Sequence, residues 1–335
     1  MQMAKSIHVN GLKTIVMPRP TPKIVVLGGI NRDYVILGNQ MPRPGETILG
    51  NELCIGPGGK GANQAVGARR LGASVWLIGA VGSDVAGDAL VSGLQKERVD
   101  VTHVLSTPRS VSGTALIFVD HSGEKMISAV AGANNFVTVA QIKKAIPVIE
   151  SANVLLLQLE IPMPTIIAAA RAASRAGVTV VLDAGPPVII PEELWSGIHV
   201  LRANSIEAHA LTGRRIHDEK SARQVGTMLL KRGLRAVILP TENRSDIVLW
   251  NEGEIIIPWF QVDAVDATGA GDAFAAGLSV GLAEGYHIAD AARFGSATAA
   301  LKTLKKGAQA GMPSRRRVNT LLSLQNYVTR NSRPL

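Results

Sequence analysis

Cysteine is almost absent from this 335-residue chain: Cys54 stands alone, so neither an intrachain disulfide nor a Cys-rich metal site can form. Aromatic residues are sparse at 4%, and Trp195, Trp250 and Trp259 are too scattered for a base-stacking platform. No apolar run approaches the ~18–20 residues of a membrane span, so no association with a bilayer is expected. Residues 1–22 include Lys5, His8, Asn10 and Lys13 and lack the apolar heart of a secretory signal. They read as a poorly ordered extension of a protein expected in the cytoplasm. His103, His121, His199, His209, His217 and His287 show no metal-ligand spacing.

Acidic residues are missing from both ends. Residues 1–23 carry four Lys/Arg and residues 302–335 carry eight, with no acid in either, so the net charge of +9 leaves −3 for the body. A nucleic-acid-binding body is thereby disfavoured. Arg315-Arg316-Arg317 reads as the solvated start of a helix, with polyanion contact as the alternative. Apolar residues are plentiful at 46% and charged ones are 18%, which excludes global disorder. The 34 glycines suit tight βα turns and backbone-lined sites.

Ile24 to Leu27 is continuous and β-branched, as a doubly buried strand should be. Val75 to Ile78, Val154 to Leu157, Val178 to Leu182, Val200 to Leu201 and Ala236 to Leu239 repeat the pattern. Helical stretches at 61–71, 88–96, 165–176, 205–211 and 221–232 lie between them. Strands alternating with helices predict an α/β fold with a mainly parallel sheet. Residues 34–55 and 112–131 break the texture with shorter alternating strands and turn signals such as Asp120-His121-Ser122-Gly123. They are expected to form a small β lid on one domain spanning 24–330.

Three segments carry chemistry. Asp266-Ala267-Thr268-Gly269-Ala270-Gly271-Asp272 precedes an Ala/Gly-rich helix, whose free N–H groups suit an anion held in the turn. Asp272 is placed there to accept a hydroxyl proton, or simply to cap the helix. Gly56-Pro57-Gly58-Gly59-Lys60-Gly61-Ala62-Asn63-Gln64 lets a ligand approach main-chain amides beside Lys60 and Asn63, without being a Walker loop. Asn31 and Asp33 leave the first strand two residues apart on one side, at the end where open α/β sheets bind ligands.

Together these segments resemble the PfkB family of sugar kinases, specifically its ribokinase branch, over residues 24–315. The marks are Gly28-Gly29-Ile30-Asn31-Arg32-Asp33, Pro44-Gly45-Glu46-Thr47, Gly58 to Ala65, Asn204 to Gly213, the Gly269 to Asp272 turn, and Lys306-Gly307-Ala308-Gln309. The resemblance implies a ribokinase-like three-layer sandwich and transfer of the ATP γ-phosphoryl to the primary hydroxyl of a pentose, D-ribose first. It implies that Asp272 is the base and that the amides of Gly269, Ala270 and Gly271 hold the phosphoryl group. Asn31, Asp33, Gly59, Lys60, Asn63 and Glu160 would hold sugar hydroxyls. Asn204, Glu207, Thr241, Asn243 and Gly271 would face the nucleotide, Glu207 meeting Mg²⁺ through water. Asn204-Ser205-Ile206-Glu207 is also a helix capping box by spacing. Asp266 and Thr268, with backbone around Ala300 to Gly307, match the region that binds an activating monovalent cation, K⁺. The lid implies a homodimer.

Two segments depart from the family pattern. Pro240-Thr241-Glu242-Asn243-Arg244-Ser245-Asp246 stands where a Thr-x-Gly-x-x-Gly loop is usual, and its carboxylates disfavour polyphosphate nearby. Asp183-Ala184-Gly185 stands where Asn-Pro-Ala is usual. Three readings of the first departure compete: an outward-swung loop on an active ATP-dependent kinase, a different phosphoryl donor, or a sugar-binding pseudokinase. Another sugar or a nucleoside as acceptor is the alternative within the enzyme class.

Overall fold

Uninterrupted runs of Val, Ile and Leu fix the centre of the molecule, because only a strand covered on both faces tolerates them. In the computed structural model Ile24–Leu27 and Val154–Leu157 are wholly buried. The structure describes residues 20–331 and two short strands near the amino terminus, β1 (Lys5–Val9) and β2 (Leu12–Val16), which pair antiparallel. Of the expected extension over 1–22, residues 1–4, 10–11 and 17–19 lie outside the described residues.

In chain order the remaining strands are β3 (Lys23–Leu27), β4 (Asn31–Leu37), β5 (Glu52–Gly58), β6 (Ser74–Gly82), β7 (Asp100–Thr107), β8 (Gly113–Val119), β9 (Lys125–Val130), β10 (Val154–Leu157), β11 (Thr179–Asp183), β12 (Val200–Arg202), β13 (Ala236–Thr241), β14 (Ser245–Trp250) and β15 (Gly253–Pro258). The large sheet runs β15-β14-β13-β12-β11-β10-β3-β6-β7. It is parallel from β13 to β7, and only the β13–β14 and β14–β15 pairs are antiparallel. The chain winds one way from β3 through β6 to β7 and the other way from β10 through β13. The β3/β10 boundary is therefore the switch point, where open sheets form a ligand crevice.

The helices are α1 (Lys60–Arg70), α2 (Val85–Lys96), α3 (Val139–Glu150), α4 (Met163–Arg175), α5 (Glu192–Trp195), α6 (Ser205–Thr212), α7 (Glu219–Leu230), α8 (Ala270–Ala283), α9 (Ile288–Lys302) and α10 (Arg315–Asn331). One apolar layer joins the sheet to α3, α4 and α7 through Ile142, Ile149, Ile166, Val225 and Leu229. The opposite layer holds α1, α2, α8 and α9 through Val66, Leu90, Leu278 and Phe294. This is the expected three-layer arrangement. α8 is apolar nearly all round and made of small residues, so it sinks between its neighbours. A Cβ on its Gly277 would lie 2.9 Å from the Cα of Gly295 on α9.

The two lid inserts join into one sheet of order β5-β4-β8-β9, held by a parallel β4–β8 pairing. β4 begins at Asn31, three residues before the expected boundary, and continues from β3 across Gly28-Gly29-Ile30. At its other end α10 opens with Arg315 clamped on Glu284 at 2.6 and 2.7 Å, its guanidinium lying 4.6 Å over the Phe294 ring. That residue of the basic run is structural.

Candidate active site

The carboxyl ends of β3, β10, β11 and β12 meet the start of α1 and the start of α8. Gly59 and Gly61 allow a close chain-against-chain contact. A Cβ on Gly59 would lie 2.6 Å from the Gly29 carbonyl oxygen, and one on Gly61 2.6 Å from the Gly28 carbonyl carbon. Gly59 also has φ +84°, a conformation that side chains resist. The close approach seats the α1 start directly over the end of β3.

Around this junction the expected acceptor residues come together. Asp272 is buried in the first turn of α8; Asn63 donates to its Oδ2 at 2.9 Å and Gln64 to its Oδ1 at 3.1 Å. Gln64 also donates to Asp183 Oδ2 at 2.9 Å and accepts from Gln158 at 2.5 Å. The Lys60 ammonium stands 3.5 Å from Asp183 and 3.7 Å from Asp272, while its backbone N–H donates to Glu160 at 2.8 Å. Asn31 and Asp33 alternate on β4 and so share a face. Asn31 accepts from Asn134 at 2.8 Å, and Asn134 also accepts from the Ile30 N–H at 3.0 Å. Asp33 Oδ1 and Asn63 Oδ1 are buried with no hydrogen-bond partner. Buried acceptors without donors are costly, and a polyhydroxyl ligand would satisfy them.

Burial raises Asp33 to about 6, helped by the neighbouring Asp272 charge. It raises Glu160 to about 7, Lys60 pulling the other way. Burial likewise raises Asp272 against the counter-pull of Lys60. Asp183 behaves oppositely: burial would raise it, but Lys60 and Arg202 hold it below the ordinary carboxylate range. Arg202 donates to Asp183 Oδ1 at 2.9 Å, and its guanidinium lies 5.6 Å over the Phe274 ring.

The turn before α8 divides the site. Gly269 is left-handed, φ +78° and ψ 8°, and α8 begins directly after it. A Cβ on Gly271 would lie 2.8 Å from the Arg202 guanidinium. The Ala270 N–H donates to the Ala267 carbonyl oxygen at 3.0 Å, so it is the Gly271 amide and a fixed cation that converge where a transferring anion would sit. Asp266 anchors the turn: its Oδ1 accepts from the Thr268 N–H and its Oδ2 from the Gly307 N–H, both at 2.8 Å. Asp266, Thr268 and Gly307 are brought together as expected.

On the far side of the turn lies a cleft of about 330 Å³, lined by Ala270 and Gly271, by Phe274, Ala299 and Ala300, and by Arg202, Asp246 and Trp259. Thr241 and Asn243 do not line it. Thr241 is buried and bonds Ser245 across the β13–β14 turn at 2.6 Å, and Asn243 and Glu242 are exposed. Of the two carboxylates expected near polyphosphate, only Asp246 reaches the cleft, where it accepts from Trp259 Nε1 at 3.0 Å. Asn204 and Glu207 form the capping box, with bonds of 2.8 and 2.7 Å, at the start of α6. Burial, with Asp183 nearby, raises Glu207.

Burial pushes Asp246 up to about 7, although Arg202 and the Trp259 N–H favour its anion. The folded chain therefore binds this proton over a range, from about pH 4 to 7, in which the unfolded chain has released it, so the group's contribution to stability falls as pH rises. Asp246→Asn keeps an acceptor for Trp259 and removes that penalty. Thermal melts should show the variant several degrees more stable than the parent at pH 8, the gap closing toward about pH 4. A parent equally stable or more stable at pH 8 would contradict the assignment.

Sequence reasoning missed Gln64, Asn134, Arg202 and Trp259 as site residues, and gave Asp183 no role in the site. Gln64 stood inside a quoted motif. The only other signal was a charged Arg202 ending a buried strand.

The model of the pfkB family carbohydrate kinases matches residues 21–315. A ribokinase of Haemophilus influenzae is 38% identical over 292 residues, 87% of this chain and 95% of that protein. A deoxyribokinase of Salmonella typhi is 30% identical over 302 residues, 90% of this chain and 99% of that protein. The structure of Arabidopsis thaliana ribokinase complexed with ribose and ATP superposes with a TM-score of 0.82 at 30% identity, covering 90% of this chain and 99% of that one. The chain belongs to the pfkB family of carbohydrate kinases, phosphotransferases whose acceptor is an alcohol group of a sugar.

Proposed function

We propose that the protein is a ribokinase, transferring the ATP γ-phosphoryl to the primary hydroxyl of D-ribose. The observation that carries this reading is the placement of Asp272. Its carboxylate is held by Asn63, Gln64 and Lys60 on one side of the turn, while Ala270 and Gly271 face the cleft on the other. Sugar and nucleotide thus meet across the free amides of α8. The ribose hydroxyls take the unpartnered oxygens of Asp33 and Asn63 and the carboxylate of Glu160. Asn31 and the Gly59 backbone complete the pocket.

In the reaction the Asp272 carboxylate takes the proton of the primary hydroxyl as that oxygen bonds to the γ-phosphorus, and the bond to the ADP oxygen breaks. Burial raises the proton affinity of Asp272, which suits a base. The amides of Gly269 and Gly271 and the Arg202 guanidinium receive the charge spread over the phosphoryl oxygens, the Ala270 N–H being taken by the Ala267 carbonyl oxygen. Among the described residues no group of three or more His, Cys, Asp or Glu side chains gathers to hold a metal ion. Glu207 would hold Mg²⁺ through water, and the ion would supply neutralisation of charge on the nucleotide phosphates. Glu242 and Asn243 at the tip of the turn stay out of the cleft while Arg244 lines it, an arrangement that suits ATP as donor.

A coupled ADP-release assay with ATP, Mg²⁺ and a panel of D-ribose, 2-deoxy-D-ribose, fructose and adenosine tests the reading. Ribose is expected to give the highest kcat/KM. Preference for 2-deoxy-D-ribose would favour the second reading, which the deoxyribokinase relative supports. Ribose-induced thermal stabilisation with no turnover would mean a binding protein instead.

One face of the lid exposes Leu53, Ile55, Leu116 and Met126, opposite the face that carries Asp33. An apolar sheet face of this kind suits pairing with a second copy of the chain. Light scattering should give a dimer, and Met126→Asp a monomer; a monomeric parent at micromolar concentration would remove the dimer from the reading.

A further inference from the structure

Lys302 is the last residue of α9 and is fully buried. Its ammonium donates to the Asp266 carbonyl oxygen at 2.8 Å and to the Lys305 carbonyl oxygen at 3.4 Å, and stands 3.5 Å from Asp266 Oδ2. Gly311 makes room for it: a Cβ there would lie 2.9 Å from Lys302 Cε and 3.0 Å from the Lys305 carbonyl oxygen. Two carbonyls and a carboxylate converging from two loops are the donor set of a weakly hydrated monovalent cation. Here the protein's own ammonium takes those oxygens, so the residues expected to bind K⁺ do not leave that ion a place.

The two loops it joins are those of the phosphoryl turn. Asp266 fixes Thr268 and Gly307 by its two oxygens, and a Cβ on Gly269 would lie 3.0 Å from that of Ala308. Whatever neutralises Asp266 and its carbonyl therefore sets the position of the Gly269–Gly271 amides. We propose that Lys302 is a built-in replacement for the activating monovalent cation, a positioning residue that holds the anion-binding turn without K⁺. This inference rests on the kinase reading for its activity readout, but not for its stability readout.

The experiment compares the full-length protein in KCl and in tetramethylammonium chloride at equal ionic strength. For the parent, kcat and the melting temperature should be the same in both salts, within about twofold for kcat. Lys302→Ala should lose at least about tenfold in kcat in tetramethylammonium and regain most of it with K⁺ or NH₄⁺, which fit the vacated space. Lys302→Ala should also gain a K⁺-specific rise in melting temperature that the parent lacks. Stimulation of the parent by K⁺ beyond about twofold, or a K⁺-specific rise in its melting temperature, would overturn the proposal. If Lys302→Ala does not fold, the parent comparison decides alone. Should the parent show no sugar-dependent turnover, the kinase reading fails while the melting comparison still decides the role of Lys302.

Discussion

Asp272→Asn is expected to lower kcat for the sugar by about 10²–10⁴-fold while leaving its KM close to that of the parent. The argument is local. The carboxylate sits among donors from Asn63 and Gln64 and within 3.7 Å of Lys60, so its job is defined by charge and basicity rather than by bulk. The amide replacement keeps the shape. One of its two polar atoms becomes a donor, and Asn63, whose Oδ1 has no hydrogen-bond partner, can turn over to receive it. The fold should survive, with a melting temperature equal to or above the parent's, because a buried carboxylate with raised proton affinity has been removed. Steady-state kinetics with a melt on the same sample separates lost chemistry from lost structure. A variant within about tenfold of the parent kcat would take Asp272 out of the role of base.

Arg202→Met should be the most destabilising single change in the site, by roughly 3–5 kcal/mol, because it strips Asp183 of its closer cation in a fully buried setting. Lys60 remains at 3.5 Å, but it is shared with Asp272. Asp183→Asn on the same background should recover a large part of the loss, since an amide needs no counter-charge. Urea denaturation of the four proteins of this cycle should report a coupling of about 1–3 kcal/mol between the two positions. Additive effects would mean that the pair is not a unit. Turnover should fall as well, because the guanidinium also faces Gly271 and the cleft.

The parts that sequence carried most faithfully are those in which one residue's chemistry is enough. Val154–Leu157 has the same ends as read and observed, because a short run of apolar residues between polar ones admits little else. The Gly269–Asp272 turn was legible because glycine spacing, a carboxylate and a following helix coincide in four residues. β7 was not, since its Asp-Val-Thr-His-Val-Leu-Ser-Thr alternates as an edge strand does and carries no buried-strand run. The β14–β15 hairpin was hidden differently: it was not read at all, and the direction of a strand leaves no mark in its own residues. The polar network was hidden by distance along the chain. Asp183 meets Arg202 19 residues away and Gln64 119 residues away, and no local pattern marks either contact. Lys302 was camouflaged by propensity, because a basic residue in the last turn of a helix is what the helix dipole favours. Only its burial, and the carbonyls around it, distinguish it from an ordinary cap.

The continuity of β3 into β4 has a consequence for how this molecule can diverge. Asn31 and Asp33 ride on a strand of the small sheet, whereas Asp272, Gln64, Lys60 and Arg202 belong to the interlocked body below it. Substitutions along this one ribbon can therefore retune which hydroxyl compound is accepted without loosening the bond-making apparatus. In a lineage under selection for a new nutrient, the ribbon is free to wander while the body stays fixed, and altered selectivity need not begin with a crippled catalyst.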